Sequence, residues 1–316
     1  MTTVVSRRTV LLLAAASAAL GAVGCMPRDG VTGGSVSIRM ACGEPGGTYI
    51  RFGKLLAAAL EGSEPIGRVS VLQTEGSRQN IELLSTGGAE LAIALADAID
   101  SADTGIVAIG RVYLNYVQCI VRSDSEIRTL EDLRGRTVSL GAPGSGTAHT
   151  ARRLLELDGL NRGDDRVIGI EQNLATAVSG LASKAIDALF WSGGIPLPAL
   201  DGLPSGIQPR VLDLSTALPK LSELFPGVYH RTAIPAGVYG LLSSLPAIGV
   251  SNLLLMRDTT PGNVVRTIVD HLIDDAGSLV PDSSVGVQFL TPANLIDTAG
   301  VPLHPEAAAR FAYRYG

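Results

Sequence analysis

The sequence has few of the residue patterns that carry out chemistry. Its four histidines stand too far apart for the usual spacing of metal ligands. The G-x-x-x-x-G-K-[ST] sequence of a nucleotide-binding loop does not occur, and neither does the G-x-S-x-G sequence of a nucleophile elbow. No pair of carboxylates suggests an acid and a base acting together. We therefore expect a protein that binds a ligand without a catalytic group, a metal or a cofactor.

Charge and cysteine are also scarce. The chain has 25 Lys and Arg residues against 30 Asp and Glu, and the basic residues form no block. This balance argues against a nucleic-acid partner. Apart from Cys25, the cysteines are Cys42 and Cys119, and both fall in apolar runs. In an exported protein they either form a disulfide or remain as two buried free thiols.

The N-terminal residues have the layout of an export signal. Arg7 and Arg8 precede an apolar run, Val10–Val23, that is short for a bilayer span. The segment around the two arginines resembles a twin-arginine signal, which predicts export by that route. No later stretch of the chain is a convincing transmembrane segment.

The end of this leader, Ala22-Val23-Gly24-Cys25, resembles a bacterial lipobox. It predicts that Cys25 is lipidated, becomes the mature N-terminus and anchors the protein in the membrane. The alternative is a plain secretory signal with an incidental cysteine. We assign residues 1–25 to the leader and the polar, glycine-rich residues 26–35 to a tether.

Three glycine-containing turns are the most informative feature of the remaining chain. They are Gly46-Gly47-Thr48-Tyr49, Glu75-Gly76-Ser77 and Pro143-Gly144-Ser145-Gly146-Thr147. Each follows a strand-like run and precedes a helix-like stretch, which its Ser or Thr can cap. The free N–H groups and the positive dipole end of such a helix attract anions. Together the turns predict a site that holds a carboxylate or phosphate through backbone groups.

Strand-like and helix-like segments alternate along the chain, which predicts an α/β fold with parallel sheets. One series runs from residue 36 to about 119, and a second series follows it. We predict two doubly wound lobes joined by a hinge. Lobe I comprises residues 36–119 and 249–316, and lobe II is inserted as residues 120–248. Ligands of such sheets bind beyond the carboxyl ends of the strands, where the glycine turns lie.

Several side chains near these ends are candidate ligand contacts. Asp97 follows the third predicted strand, where it either meets an ammonium group or caps the next helix. Trp191, the single tryptophan, either packs in the core or forms an aromatic wall of the pocket. Tyr49 and Tyr239 stand in glycine-containing loops, a suitable place for amphipathic side chains that line a cleft.

A series of motifs in this order resembles the TAXI family of substrate-binding proteins, the extracytoplasmic receptors of TRAP transporters. The likeness runs from about residue 36 to about residue 275. Its segments are Gly46–Tyr49, Thr74–Asn80, Leu130–Gly135 followed by Pro143–Thr147, Asp187–Phe190 followed by Gly193, Gly194 and Pro196, and Ile234–Tyr239.

This resemblance implies a type II periplasmic-binding-protein-like fold with a ligand between its lobes. It implies a small organic anion as the ligand, with glutamate or related dicarboxylates as the typical class, and a membrane permease driven by an ion gradient as the partner. The residues it places at the ligand, together with those of the glycine turns, are Gly47, Thr48, Tyr49, Ser77, Asn80, Ser145, Gly146, Thr147, Gly193 and Tyr239.

The sequence departs from the family pattern at two positions near the expected pocket. Leu95 stands where the family commonly has glutamine, so either the pocket is less polar or Leu95 belongs to the core. Glu44 places an acid beside the first glycine turn, where it either disfavours an anion or pairs with an ammonium group.

The function predicted from the sequence is therefore that of an exported, lipid-anchored receptor for a small organic anion or amino acid, which delivers its ligand to a TRAP-type permease. One alternative is a sensor of the same fold that signals to a membrane kinase. Another is an enzyme built on this fold, although the residues provide no catalytic arrangement for it.

Overall fold

Strands and helices alternate along most of the chain that the structure describes. The structure is a computed structural model, and it describes residues 35–281 and 290–316. The predicted leader, the Cys25 lipidation site and the tether up to residue 34 lie outside the described residues. The described strands are β1 (Val36–Ala41), β2 (Ile66–Leu72), β3 (Leu91–Leu95), β4 (Ile106–Arg122), β5 (Thr137–Ser139), β6 (Ile168–Ile170), β7 (Ala188–Gly193), β8 (Pro209–Val211), β9 (Tyr229–Ile234) and β10 (Leu245–Arg257).

The helices follow the periodicity of the sequence. In the first of them, Phe52, Leu56 and Leu60 repeat every four residues and are fully buried, as expected for an amphipathic helix. The described helices are α1 (Thr48–Leu60), α2 (Ser77–Thr86), α3 (Gly146–Leu157), α4 (Leu174–Ser183), α5 (Leu218–Leu224), α6 (Gly262–Asp274), α7 (Pro292–Ile296) and α8 (Pro305–Tyr315).

The strands form one mixed sheet in the order β2-β1-β3-β10-β4-β7-β5-β6, with β8 beside β4 and β9 beside β10. The parallel strands β1–β3 lie on one side of the two long central strands, and β5–β7 lie on the other. We call β1–β3 with α1 and α2 the first flank, and β5–β7 with α3 and α4 the second flank. The long strands β4 and β10 pair antiparallel with each other. β10 also pairs antiparallel with β3 of the first flank and with β9, and β4 pairs antiparallel with β7 of the second flank.

The alternation of strands and helices predicted from the sequence is confirmed. β4 is 17 residues long, from Ile106 to Arg122. The loop predicted around Tyr239 begins after Ile234, the last residue of strand β9. Among the described strands, β9 pairs with β10 alone and leaves part of its surface exposed, which accounts for the lack of a continuous apolar run in its sequence.

Both described cysteines are buried free thiols, so the disulfide alternative is wrong. Cys42 lies under α1, where a Cβ on Gly53 would come within 2.3 Å of the Cys42 Sγ. Burial raises the pKa of the Cys42 thiol to about 12 and also raises that of Cys119. These thiols therefore behave as small apolar side chains. Among the described helices, none is both long enough and apolar enough to cross a bilayer.

Candidate functional site

The three glycine turns meet at one pocket. It lies between the two flanks and has an empty volume of about 400 Å³, part of which opens to solvent. Its wall is formed by Gly43, Glu44, Gly47, Thr48 and Tyr49, by Glu75, Gly76 and Ser77, by Ser145, Gly146 and Thr147, and by Leu95, Asn115, Trp191 and Ser192.

The first turn leads into α1 without a side-chain cap. Gly47 is the N-cap residue, and no side chain accepts a hydrogen bond from the first helical N–H groups there. The hydroxyl of Thr48 instead accepts a 2.9 Å hydrogen bond from the backbone N–H of Gly194. Because Gly194 follows the last strand of the second flank, this bond crosses between the flanks and leaves the N-terminus of α1 available to a ligand.

The second turn differs from its predicted form, because Ser77 is not the cap of α2. The N-cap residue is Gly76, whose φ of 124° is a conformation that side chains disfavour. Ser77 is the first helical residue, and its hydroxyl accepts a 3.0 Å hydrogen bond from the N–H of Leu95. The same hydroxyl lies 3.2 Å from the hydroxyl of Tyr49. Ser77 therefore ties the end of β3 to the first turn.

The third turn has the predicted cap. The hydroxyl of Ser145 accepts a 3.0 Å hydrogen bond from the N–H of Ala148 and so caps α3. The hydroxyl of Thr147 accepts a 3.1 Å bond from the N–H of Ser192 on β7. Both hydroxyls are thus engaged by backbone groups, and the N–H groups of Gly146 and Thr147 are the donors that α3 offers at its positive end.

The flanks touch directly around the pocket. The N–H of Arg78 donates a 3.0 Å hydrogen bond to the carbonyl of Gly144, which joins the second turn to the third. A Cβ on Gly146 would lie 2.5 Å from the Ser77 hydroxyl oxygen and 2.7 Å from Leu95. Gly146 is therefore needed for the close approach of the two flanks.

Three buried polar atoms in the pocket wall lack a hydrogen-bond partner in the part of the chain that the structure describes. They are the side-chain oxygen of Asn115, the indole N–H of Trp191 and the hydroxyl of Ser192. The amide nitrogen of Asn115 is satisfied, because it donates a 3.1 Å bond to the carbonyl of Ser192. Buried polar groups are normally paired, so these atoms mark a place where a ligand can supply the partners.

The charged groups of the wall are both acidic. Glu44 and Glu75 line the pocket, and the described wall includes no Lys, Arg or His. One oxygen of Glu44 accepts a 3.0 Å hydrogen bond from the N–H of Leu174, the first residue of α4. Burial raises the pKa of the Glu44 carboxyl; the bond from Leu174 opposes this shift and the nearby Glu75 adds to it. Glu44 thus occupies the anion-attracting end of α4 itself.

Eight of the residues predicted at the ligand come together at this wall: Gly47, Thr48, Tyr49, Ser77, Ser145, Gly146, Thr147 and Trp191. Trp191 is both part of a core cluster and part of the wall, so the two alternatives for it are not exclusive. Leu95 is likewise buried in the core while lining the pocket.

The other four predicted residues lie outside the wall. Asn80 is fully buried, and its side chain donates to the carbonyls of Cys42 and Ile93. The Tyr239 hydroxyl donates to Gln118 and accepts from the N–H of Leu197, each at 2.7 Å. Gly193 packs against the Trp191 indole, where a Cβ on the glycine would lie 2.3 Å from the indole nitrogen.

Asp97 is the fourth residue outside the wall. Its carboxylate accepts hydrogen bonds from Thr150 at 2.6 Å and from Tyr229 at 2.7 Å. It lies within a three-residue helical turn, Ala96–Ala98, and does not cap it. The structure therefore places Asp97 in an internal polar cluster rather than at the pocket surface.

Sequence reasoning missed Asn115 and Ser192. Both lie on central strands whose other residues are mostly buried and apolar. The signal that identifies Asn115 is its polarity inside the long apolar run of β4, since an amide there requires a specific partner. Among the described residues, no cluster of His, Cys, Asp or Glu could hold a metal ion.

Solved structures share this architecture at low sequence identity. A protein from Bordetella bronchiseptica RB50 matches with a TM-score of 0.51 and 16% identity, covering 87% of this chain and 80% of that one. A Xanthomonas citri protein bound to ATP has a TM-score of 0.50 and 14% identity, covering 89% and 100%. The alkanesulfonate-binding protein of Xanthomonas axonopodis pv. citri, bound to MOPS, has a TM-score of 0.47 and 17% identity, covering 89% and 84%.

The fold is mixed α/β and of the type II periplasmic-binding-protein-like class. A family model matches residues 40–314, almost all of the described chain. The chain belongs to the NMT1-like family.

Proposed function

We propose that the protein is an extracytoplasmic solute receptor that captures a small organic anion or amino acid in the pocket between its flanks. The observation that carries this proposal is the convergence of three helix N-termini, from α1, α2 and α3, on a single pocket. Their N–H groups and positive dipole ends favour a carboxylate or another anion. The absence of a basic side chain from the described wall leaves this role to the backbone.

The sheet topology supports a hinged clamp. In this proposal, residues 36–119 with 249–316 form lobe I and residues 120–248 form lobe II. The long strands β4 and β10 connect the two, so bending in these strands would open the pocket. The bonds between the flanks, from Gly194 to Thr48 and from Arg78 to Gly144, belong to the closed state. A ligand that binds the closed state more tightly shifts the population toward it.

Delivery to a TRAP-type, ion-coupled permease is supported by the resemblance to the TAXI receptors, whose glycine motifs correspond to the turns at this pocket. The predicted twin-arginine leader and lipidation at Cys25 would place the receptor outside the cytoplasm, beside such a permease. Removing the gene should abolish uptake of the ligand that depends on an ion gradient. Unchanged uptake together with a lost transcriptional or kinase response would favour the sensor alternative.

The first test is a ligand titration followed by fluorescence. Trp191 is the single tryptophan of the chain and lies in the pocket wall, so its emission reports directly on the site. We expect an amino acid, a dicarboxylate or an oxo-acid to change the emission and to raise the melting temperature. At a ligand concentration of 100 times Kd the added stability is about 2.7 kcal/mol.

A matched pair of variants separates a ligand site from a merely stable fold. Thr147→Ala removes a pocket hydroxyl that also holds Ser192, and we expect it to weaken binding about tenfold. Thr86→Ala removes a hydroxyl on the exposed end of α2, far from the pocket wall, and should leave affinity unchanged. If no organic anion or amino acid alters the emission or the melting temperature, the proposal is wrong.

A further inference from the structure

The pocket wall presents both hydrogen-bond donors and acceptors that need a partner. The N-termini of α1, α2 and α3 offer N–H groups. The side-chain oxygen of Asn115 can only accept a hydrogen bond, and the residue is only 2% exposed. A ligand that is a pure acceptor, such as a dicarboxylate, would satisfy the donors but leave the Asn115 oxygen unpaired. The ligand must therefore carry an N–H or O–H donor as well as an anionic group.

The charges of the wall point in the same direction. Glu44 and Glu75 contribute two carboxylates, and the described wall provides no basic side chain to offset them. Closing the pocket over a dianion would bring two more negative charges beside the partly buried Glu44 carboxylate, with the exposed Glu75 carboxylate nearby, which is unfavourable. A zwitterion adds no net charge, and its ammonium group is attracted by the same two carboxylates.

Glu44 has one carboxylate oxygen engaged. That oxygen binds the N–H of Leu174 at the start of α4. The contact fixes the Glu44 side chain across the flank boundary, so its charge is held at the pocket instead of turning to solvent. The remaining wall consists of the apolar surfaces of Leu95 and Trp191 and the ring of Tyr49. Such a surface suits an uncharged side chain.

From this combination we propose that the ligand is an α-amino acid with an uncharged side chain. Its carboxylate lies at the helix N-termini, and its ammonium group is balanced by Glu44 and donates to the Asn115 oxygen. This inference rests on the proposed receptor function and narrows its ligand class. It also implies that Glu44 and Asn115 make the pocket selective for an amino acid over a simple organic acid.

Pairs of ligands that differ only in the amino group test the inference. The full-length protein in mild detergent is titrated by calorimetry with L-alanine, L-valine and L-leucine, and then with propionate, 3-methylbutanoate and 4-methylpentanoate. L-glutamate and glutarate form a fourth pair. We expect an uncharged amino acid to bind at least 30-fold more tightly than its partner without the amino group, and more tightly than either glutamate or glutarate.

The outcomes distinguish this inference from the function on which it rests. If a carboxylate binds as tightly as its amino acid, or if glutamate or glutarate binds most tightly, the inference is wrong and the receptor function stands. If none of these compounds binds, the inference is wrong, and the receptor function is then decided by the broader fluorescence titration described above.

Glu44→Gln removes the negative charge of this side chain and keeps its shape. The glutamine oxygen can still accept the N–H of Leu174, so the contact between the flanks is retained. We expect the variant to bind the amino acid at least tenfold more weakly, while the matched carboxylate binds equally well or better. Glu61→Gln, an exposed change of the same kind, serves as the control. An equal loss for both ligands would show that Glu44 only supports closure, which would contradict its role in recognising the ammonium group.

Discussion

Replacing Gly146 with alanine is expected to lower the affinity for the ligand at least 100-fold without unfolding the chain. The added Cβ would lie 2.5 Å from the Ser77 hydroxyl oxygen and 2.9 Å or less from two carbons of Leu95. These neighbours belong to the first flank, while Gly146 begins α3 of the second. Because both neighbours are buried and engaged, the clash is relieved by separating the flanks, and a separated pocket cannot hold a ligand from both sides.

The local conformation of α3 does not explain such a loss. Alanine has the higher helix propensity, by about 1 kcal/mol relative to glycine, so the substitution favours the helix itself. Gly202→Ala is the matched control, because a Cβ there meets no atom within 4 Å. We would measure affinity from Trp191 fluorescence and the radius of gyration by small-angle scattering. A larger radius for Gly146→Ala is expected, and wild-type affinity in this variant would show that closure does not require the glycine.

The glycine turns could be predicted because their signal is local. A strand, a glycine and a Ser or Thr before a helix can be recognised in the sequence, and the alternation of elements indicates that the turns lie at the ends of strands. The contact between the turns is not local. Arg78 and Gly144 are joined only because β3 and β7 are held on opposite sides of β4 and β10. The sequence predicted facing turns, but not which atoms touch.

The role of each hydroxyl was harder to predict than its location. Ser77 and Ser145 stand in similar motifs, yet Ser145 caps its helix whereas Ser77 accepts from Leu95. The difference arises because Gly76 adopts a φ of 124°, so that Ser77 is already inside the helix. Asn115 was missed for a related reason: its partners lie on a neighbouring strand, and nothing within β4 itself indicates which face is open to a ligand.

We expect Asp97→Ala to lower the free energy of unfolding, which is the second large effect. Its carboxylate is fully buried, with Thr150 and Tyr229 donating hydrogen bonds to it and Arg153 at 3.9 Å. Burial raises the pKa of the Tyr229 hydroxyl, and the negative charge of Asp97 raises it further, so Tyr229 remains a donor at neutral pH. Removing the carboxylate would deprive the buried Tyr229 hydroxyl of its acceptor and the Arg153 guanidinium of its nearest negative charge, while Thr150 keeps the Gly146 carbonyl as an acceptor. We expect a cost of about 3 kcal/mol.

The partners of Asp97 show why this loss should also affect closure. Asp97 follows β3 of the first flank, whereas Thr150 lies on α3 of the second flank and Tyr229 lies on β9. The cluster therefore joins the flanks away from the pocket. Arg153 is itself fixed, since its guanidinium lies 3.8 Å from the centre of the Phe225 ring and donates to Tyr229. Loss of Asp97 removes the centre of a connected network, so the contributions of its members should not add independently.

Urea unfolding of Asp97→Ala and Asp97→Asn, followed by Trp191 fluorescence, measures this effect. Asparagine retains one acceptor oxygen of the same shape, so we expect it to lose less stability than alanine. Asp164→Ala changes an exposed aspartate and should leave the unfolding midpoint unchanged. The sequence prediction gives the opposite result, because an Asp97 that holds the ligand's ammonium group would lose affinity in Asp97→Asn while the protein kept its stability. A loss confined to affinity would therefore place Asp97 at the ligand, whereas a loss of stability in both variants would identify it as the internal link between the flanks.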